Sequence, residues 1–355
     1  MKISEAFDPR RNALNVWRLL LAAEVILWHS YLTTGRTPLI PHPVLQMSWS
    51  IGVDGFFAIS GFLITRSWAE RPKARDYLSA RALRILPGLW ICLIVTAFVI
   101  APIGVAIQGG SAKSLLLSTG PISYVISNAF VLYVQQGING TPAGVPVSTS
   151  WNGSLWSLFF ELVCYLAVLV LGLIGMVKYR WVSVGLLLGA TALALVLGPL
   201  VAPPAGVWTF GQIFARCAIM FAAGAVLYQW RETIPANWWL VALCAVVAAG
   251  ASIVLPDYRV VAGLPLAYAV VVSGILVRGP HLHNDFSYGM YIYAFPVQQV
   301  LVMAGLATLA PLLFFGLSTI FTFPLAAASW FLVEKRAMRM KYRIRGTDPL
   351  ASGAY

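Results

Sequence analysis

The chain has 355 residues, 59% hydrophobic and only 10% charged, with a formal net charge of +12. Soluble domains carry about 25% charged residues, so this composition excludes a soluble globular fold. A transmembrane barrel is excluded too, because barrel strands read as alternating segments of about ten residues, and this chain shows long unbroken apolar runs.

The expectation is an all-α integral membrane protein with about ten transmembrane helices and both termini cytoplasmic. The expected spans are roughly 14–33, 50–67, 85–107, 155–177, 181–201, 209–230, 237–255, 260–277, 286–305 and 310–333. Each approaches the ~20 residues that a bilayer requires. One membrane-embedded domain is expected over 1–355, with a disordered tail after about 345. Lys2, Arg10 and Arg11 precede the first apolar run in the manner of a signal peptide, but Glu24 and His29 interrupt that run, so an uncleaved first span is expected.

The basic residues set the orientation. On one side fall Lys2, Arg10 and Arg11, then Arg66, Arg71, Lys73, Arg75, Arg81 and Arg84. Lys178, Arg180, Arg231, Arg278 and the basic tail follow on the same side. The opposite side has only Arg36, Lys113 and Arg259. The positive charge is therefore a topology signal and implies no nucleic-acid partner. Cys92, Cys164, Cys217 and Cys244 all lie in apolar runs, without metal or disulfide spacing, and read as packing residues. The longest connection, about 108–154, is expected outside, with an apolar middle near Ile122–Val134 that suits a re-entrant or interfacial element.

Ionisable groups within apolar spans are costly, which makes each a candidate for function. The first span carries Arg18, Glu24 and His29. Arg18 and His29 are eleven residues apart, within roughly 20° of one helix face and ~16 Å along the axis. Glu24 faces elsewhere. Asp54 begins the second span near the outer surface. In the fourth, Ser154, Ser157, Glu161 and Tyr165 recur at three- and four-residue spacing on one face. His29, Asp54 and Glu161 are thus expected to converge near the outer surface, and Arg18, Arg81 and Arg84 at the inner one; Arg216 lies inside the sixth span. An outer cluster of His and carboxylates suits acid–base chemistry. An inner cluster of arginines suits phosphate. Together they point to a cytoplasmic phosphorylated donor whose reactive end reaches through the membrane. Blander readings exist for each: a snorkelling anchor for Arg18, an interfacial histidine for His29, a helix cap for Asp54, and topology charges for Arg81 and Arg84. His42, His281 and His283 read as loop residues.

The Arg18-x10-His29 pair resembles the signature of the membrane-bound acyltransferase family 3. Further segments agree in order: GVDGFFAISGFLIT (52–65), RALRILP (81–87), SLWSLFFELVCY (154–165), SYGMYIYAFP (287–296) and WFLVEK (330–335). The resemblance implies transfer of an acyl group, often acetyl from acetyl-CoA, to a sugar hydroxyl. It includes bacterial O-acetyltransferases of lipopolysaccharide, exopolysaccharide and Nod factors, and so implies a multi-pass protein of the bacterial inner membrane. It places Arg18 and His29 on the family's functional pair, Arg84 on its inner-face arginine, and Glu161 on the acid of the fourth-span motif. Ala294 stands where members often carry His, and Arg336 where Pro commonly follows Glu-Lys.

The expected catalytic residues are therefore His29, Glu161 and Asp54, and the donor's phosphates are expected on Arg18, Arg81 and Arg84. Trp156, Ser157, Tyr165, Tyr288, Tyr291 and Arg216 are expected to bind substrate. His29 would act as general base or accept the acyl group itself, with Glu161 or Asp54 orienting it or binding the acceptor. Expected partners are acyl-CoA as donor substrate, a glycan or lipid-linked sugar as acceptor, and the lipid bilayer. No metal and no tightly bound cofactor are expected. The alternatives are a transporter using the buried charges as a relay and a noncatalytic sensor binding through 108–154.

Overall fold

The computed structural model describes residues 1–38, 46–199, 208–277 and 284–345. The expected disordered tail after 345, Arg278, and His42, His281 and His283 lie outside the described residues. The described residues are helical, with two isolated bridges and no strand.

A helix occupies every segment expected to span the membrane. In chain order these are α1 (Leu14–Thr33), α2 (Ile51–Glu70), α3 (Ala74–Val95), α4 (Trp156–Leu173) and α5 (Arg180–Leu197). They continue with α6 (Phe210–Gln229), α7 (Trp238–Val254), α8 (Arg259–Leu276), α9 (Ser287–Met303) and α10 (Pro311–Ser329). Two runs are longer than expected. The third begins earlier than expected, at Ala74, and passes through a π-helical turn at Thr96–Ile100 to the expected end at Ile107, and after α10 a π-helical turn at Trp330–Glu334 leads into Lys335–Arg345.

Among the described residues, six helical runs are long and apolar enough to cross a membrane: Ala74–Ile107, Gly153–Leu173, Arg180–Leu197, Phe210–Gln229, Arg259–Leu276 and Pro311–Met340. The other helices differ for readable reasons. α1 carries Arg18, Glu24 and His29, and α2 carries Asp54, Arg66 and Glu70. α7 and α9 have 17 residues each.

The chain forms two compact units. The first comprises the described parts of Met1–Leu21, Leu39–Tyr77 and Phe160–His283, and the second those of Ala22–Pro38, Leu78–Phe159 and Asn284–Tyr355. In the first, α2 and α6 approach at backbone distance. A Cβ on Gly61 would lie 1.9 Å from the Phe221 carbonyl oxygen, and one on Gly224 2.0 Å from that of Ala58. Small residues allow such approach where lipid offers no competing hydrophobic force. Asp54 pairs with Arg216 and, further along both helices, the Phe62 ring meets that of Tyr228, so the two helices run parallel.

In the second unit α9 is buried along nearly its whole length. Gly88 of α3 admits the Tyr288 ring, Gly104 admits Trp151 and Met303, and Gly289 meets the backbone of Ala326. The 108–154 segment forms two short helices, Ala112–Leu117 and Gly120–Asn128. Ile122, Ile126 and Phe130 stay exposed on it, the apolar face that an interfacial helix requires.

Candidate functional site

His29 lies in the last turns of α1, in the second unit. Its ring meets Phe295 of α9 edge to face, with centroids 5.0 Å apart. Its Nδ1 is buried and has no hydrogen-bond partner among the described residues. The backbone around it is held firmly. Gln298 Nε2 donates to the Ile26 carbonyl and to Ser30 Oγ, both at 2.9 Å. Ser30 and Thr33 hydroxyls bond back to the carbonyls of Ile26 and His29. Position is thus fixed by α9, while the imidazole nitrogen is left available.

Phe295 also links His29 to the start of the fourth-span motif. A Cβ on Gly153 would lie 2.7 Å from the Phe295 ring. Next to it Asn152 Nδ2 donates to the Ile292 carbonyl at 2.7 Å, and its Oδ1 accepts from the Ser154 backbone at 3.3 Å. Ser157 and Tyr291 share a hydroxyl–hydroxyl bond of 2.5 Å, and Tyr291 donates to the Ser154 carbonyl at 3.0 Å. Ser154 Oγ is buried without a partner among the described residues. Gln299 clamps the preceding loop by donating to the Val147 and Ser150 carbonyls at 2.7 and 2.6 Å. Of the expected substrate-binding residues, Ser157 and Tyr291 are therefore brought together, and Trp156 is half-buried beside them in sequence.

A second cluster in this unit surrounds Arg84 of α3. Its guanidinium pairs with Asp285, and it lies 6.0 Å from the Tyr288 ring centroid. Tyr288 in turn donates to the Ile85 carbonyl at 2.9 Å. Asp285 also accepts from the Ser287 backbone at 3.2 Å. Asn284 accepts from Trp330 Nε1 and Lys335 Nζ at 3.0 and 3.3 Å. The WFLVEK turn and the start of α9 thus build one polar patch around an arginine. Arg81 lies three residues before Arg84 on α3.

The first unit holds the remaining candidates, each with partners of its own. Asp54 is fully buried and accepts from Arg216 Nε at 2.9 Å, Arg259 Nε at 2.7 Å and the Tyr258 hydroxyl. Arg259 also pairs with Asp257 at 3.0 Å, and Arg216 donates to the Ser50 carbonyl at 3.2 Å. Two aspartates balance two arginines within this buried network. Asp54 therefore has an ion-pair role within the first unit. Arg259 is correspondingly no loop cation but the core of this cluster. Arg36 is likewise held, donating to the Thr308 carbonyl at 2.6 Å and to that of Leu309.

Glu161 also falls in the first unit, where its Oε1 accepts from Ser60 at 3.1 Å and from Tyr165 one turn on. Ser154, in the 3-10 turn before α4, and Ser157 fall in the second unit, and Glu161 and Tyr165 in the first. Arg18 lies on the first-unit half of α1. Sequence reasoning passed over Gln298, Phe295, Asn152, Asp285 and Tyr258, and read Arg259 only as an outer charge. Gln298 and Gln299 carried a signal, being two amides inside an apolar span.

The comparisons with known proteins bear on what this arrangement does. The acyltransferase-3 family, described as an acyltransferase domain, matches residues 11–331. The chain is 29% identical to a protein of Shigella phage Sf6 named O-acetyl transferase, over 92% of this chain and 96% of that one. It is 27% identical to Nodulation protein 10 of Rhizobium leguminosarum bv. viciae, over 95% of this chain and 96% of that one. No solved structure matches. A match this long over a multi-pass helical chain takes the place of the transporter and sensor alternatives. The chain belongs to the acyltransferase-3 family, and it is a membrane O-acyltransferase.

Proposed function

We propose that the protein transfers an acyl group, acetyl in particular, from cytoplasmic acyl-CoA to a sugar hydroxyl of a cell-surface or exported glycan. The observation that carries this is His29: a buried imidazole nitrogen without a partner among the described residues, on a backbone clamped by Gln298. A general base must be held in place yet keep its nitrogen for the reacting proton. His29 takes the proton of the sugar hydroxyl, and the oxygen attacks the thioester carbonyl. The carbonyl–sulfur bond breaks, and the thiolate leaves as CoA and recovers the proton. The products are the sugar ester and free CoA. The name of the phage relative supports acetyl as the group moved.

The donor's phosphates are assigned to Arg18, Arg81 and Arg84, with Asp285 positioning Arg84. An arginine fork suits phosphate. Arg18 lies ~16 Å down α1 from His29, on the order of an extended pantetheine arm. Ser157, Tyr291 and Trp156 are assigned to the reacting end, near Phe295. Glu161, with Tyr165, is assigned to the acceptor, Tyr288 to the donor side, and Asp54 with Arg216 to holding the first unit. The asymmetry of basic residues supports a ten-span bundle with both termini in the cytoplasm, read as one catalytic domain of the bacterial inner membrane.

Radiolabelled acetyl-CoA incubated with membranes bearing the protein tests this reading. Label is expected in the extracted glycan. Label that stays on CoA, with every candidate glycan unlabelled, would contradict it.

A further inference from the structure

An apolar groove of about 320 Å³ opens along α4, α5 and α6 in the first unit, and none of the residues assigned to the reaction lines it. No charged side chain lines it. On α6 it runs from Phe214 to Gln229, ~22 Å of helix against a hydrocarbon thickness of ~30 Å. α5 leaves one side open: a Cβ on Gly185 or on Gly189 would meet nothing within 4 Å.

The groove is polarised. Its uncharged polar groups Thr65, Ser183 and Gln229 gather at one end. Ser183 is in the first turn of α5 and Gln229 ends α6, donating to the Val177 carbonyl at 2.6 Å. The Phe62–Tyr228 ring contact, with α2 and α6 parallel, sets Thr65 near that last turn. Thr65 Oγ1 is buried in the groove wall without a hydrogen-bond partner among the described residues. Just beyond, Lys178 and Arg180 precede and begin α5. Arg180 stacks 4.3 Å over the Trp230 ring, which meets Trp181 edge to face at 4.7 Å. Cations beside tryptophans at a helix end are the make-up of a headgroup level.

We propose that this groove seats an anionic phospholipid. One acyl chain lies along α6, an ester carbonyl accepts from the Thr65 hydroxyl, and the phosphate rests at Lys178 and Arg180. Charge complementarity selects the occupant. An uncharged wall takes hydrocarbon, a lone buried hydroxyl takes a carbonyl at the depth of the glycerol esters, and two cations take an anionic headgroup. The proposal stands apart from the acyl-transfer reading, because it uses none of the residues assigned there.

The test is native mass spectrometry of the purified full-length protein with equal amounts of phosphatidylglycerol and phosphatidylcholine of matched chains. The wild type is expected to retain phosphatidylglycerol preferentially. Lys178→Gln/Arg180→Gln should cut that preference about 30-fold, at roughly one tenfold step per 1.4 kcal/mol and about 1 kcal/mol per cation. Gly189→Leu should lower retention of both lipids by filling the groove, with Gly185→Leu as a second variant and a thermal melt to show that each still folds. Equal retention of both lipids by the wild type would overturn the proposal. So would unchanged binding in folded groove-filled variants, or displacement of phosphatidylglycerol by a polyprenyl phosphate.

Discussion

At the residue scale the account separates groups that react from groups that hold. His29→Ala should lower acyl transfer by about 10²–10⁴-fold, the typical contribution of a general base, while the protein still inserts and melts normally. Gln298→Ala should lower kcat with little change in donor KM, because it releases the α1 backbone beside His29; steady-state kinetics separates the two parameters. Arg84→Ala should do the opposite and raise the KM for acyl-CoA more than it lowers kcat. Arg84→Lys should recover part of the loss, keeping the charge but not the fork. Donor KM unchanged in both variants would return Arg84 to a topology charge. Asp54→Ala leaves Arg216 and Arg259 buried around a missing carboxylate, which costs about 3–5 kcal/mol. Its signature is a fall in melting temperature and in yield. A folded, fully stable and inactive Asp54→Ala protein would instead put Asp54 in the chemistry.

At the element scale the helices were legible because a bilayer admits few backbones, and apolar runs of about 20 residues mark them. The segments expected at 14–33 and 209–230 differ from α1 and α6 by a residue or less at each end. The π turns at Thr96–Ile100 and Trp330–Glu334 were not legible, nor were the charged helical extensions from Ala74 and through Lys335–Arg345, because neither extension carries the apolar signal of a span. Pairing between helices was also hidden. Arg216 and Arg259 lie 162 and 205 positions from Asp54 in sequence, so nothing local shows that they share one network. The glycines of α2 and α6 are the converse case, ordinary in sequence and decisive in packing. Gly224→Leu should prevent accumulation of folded protein, since its Cβ alone would strike the Ala58 carbonyl and overpacking typically costs about 1–3 kcal/mol before any such clash. Gly189→Leu on open α5 should express and melt as wild type. Equal yields of the two variants would show that the close crossing of α2 and α6 does not carry the first unit.

At the scale of the whole molecule the candidate site was legible in part. The Arg18–His29 pair, Arg84 and the fourth-span motif stood out because charges and hydroxyls in apolar runs are rare. Their partners did not stand out, because Phe295, Gly153 and Asn152 have no unusual local pattern and act only once α9 is packed beside them. The central claim is directional: donor phosphates meet the arginine-rich face, and His29 serves an acceptor hydroxyl from the opposite one. Anionic CoA should be drawn to the basic side. The most direct measurement uses sealed vesicles of known orientation, labelled acetyl-CoA on one face only, and wild-type protein beside His29→Ala. Cysteines placed at Gly35 and Arg75 report the two faces with an impermeant reagent. The account predicts that Gly35 and Arg75 label from opposite sides. It also predicts that label reaches glycan only when donor faces the Arg75 side, and only in the wild type. Equal transfer from either face, or transfer undiminished in His29→Ala, would contradict it.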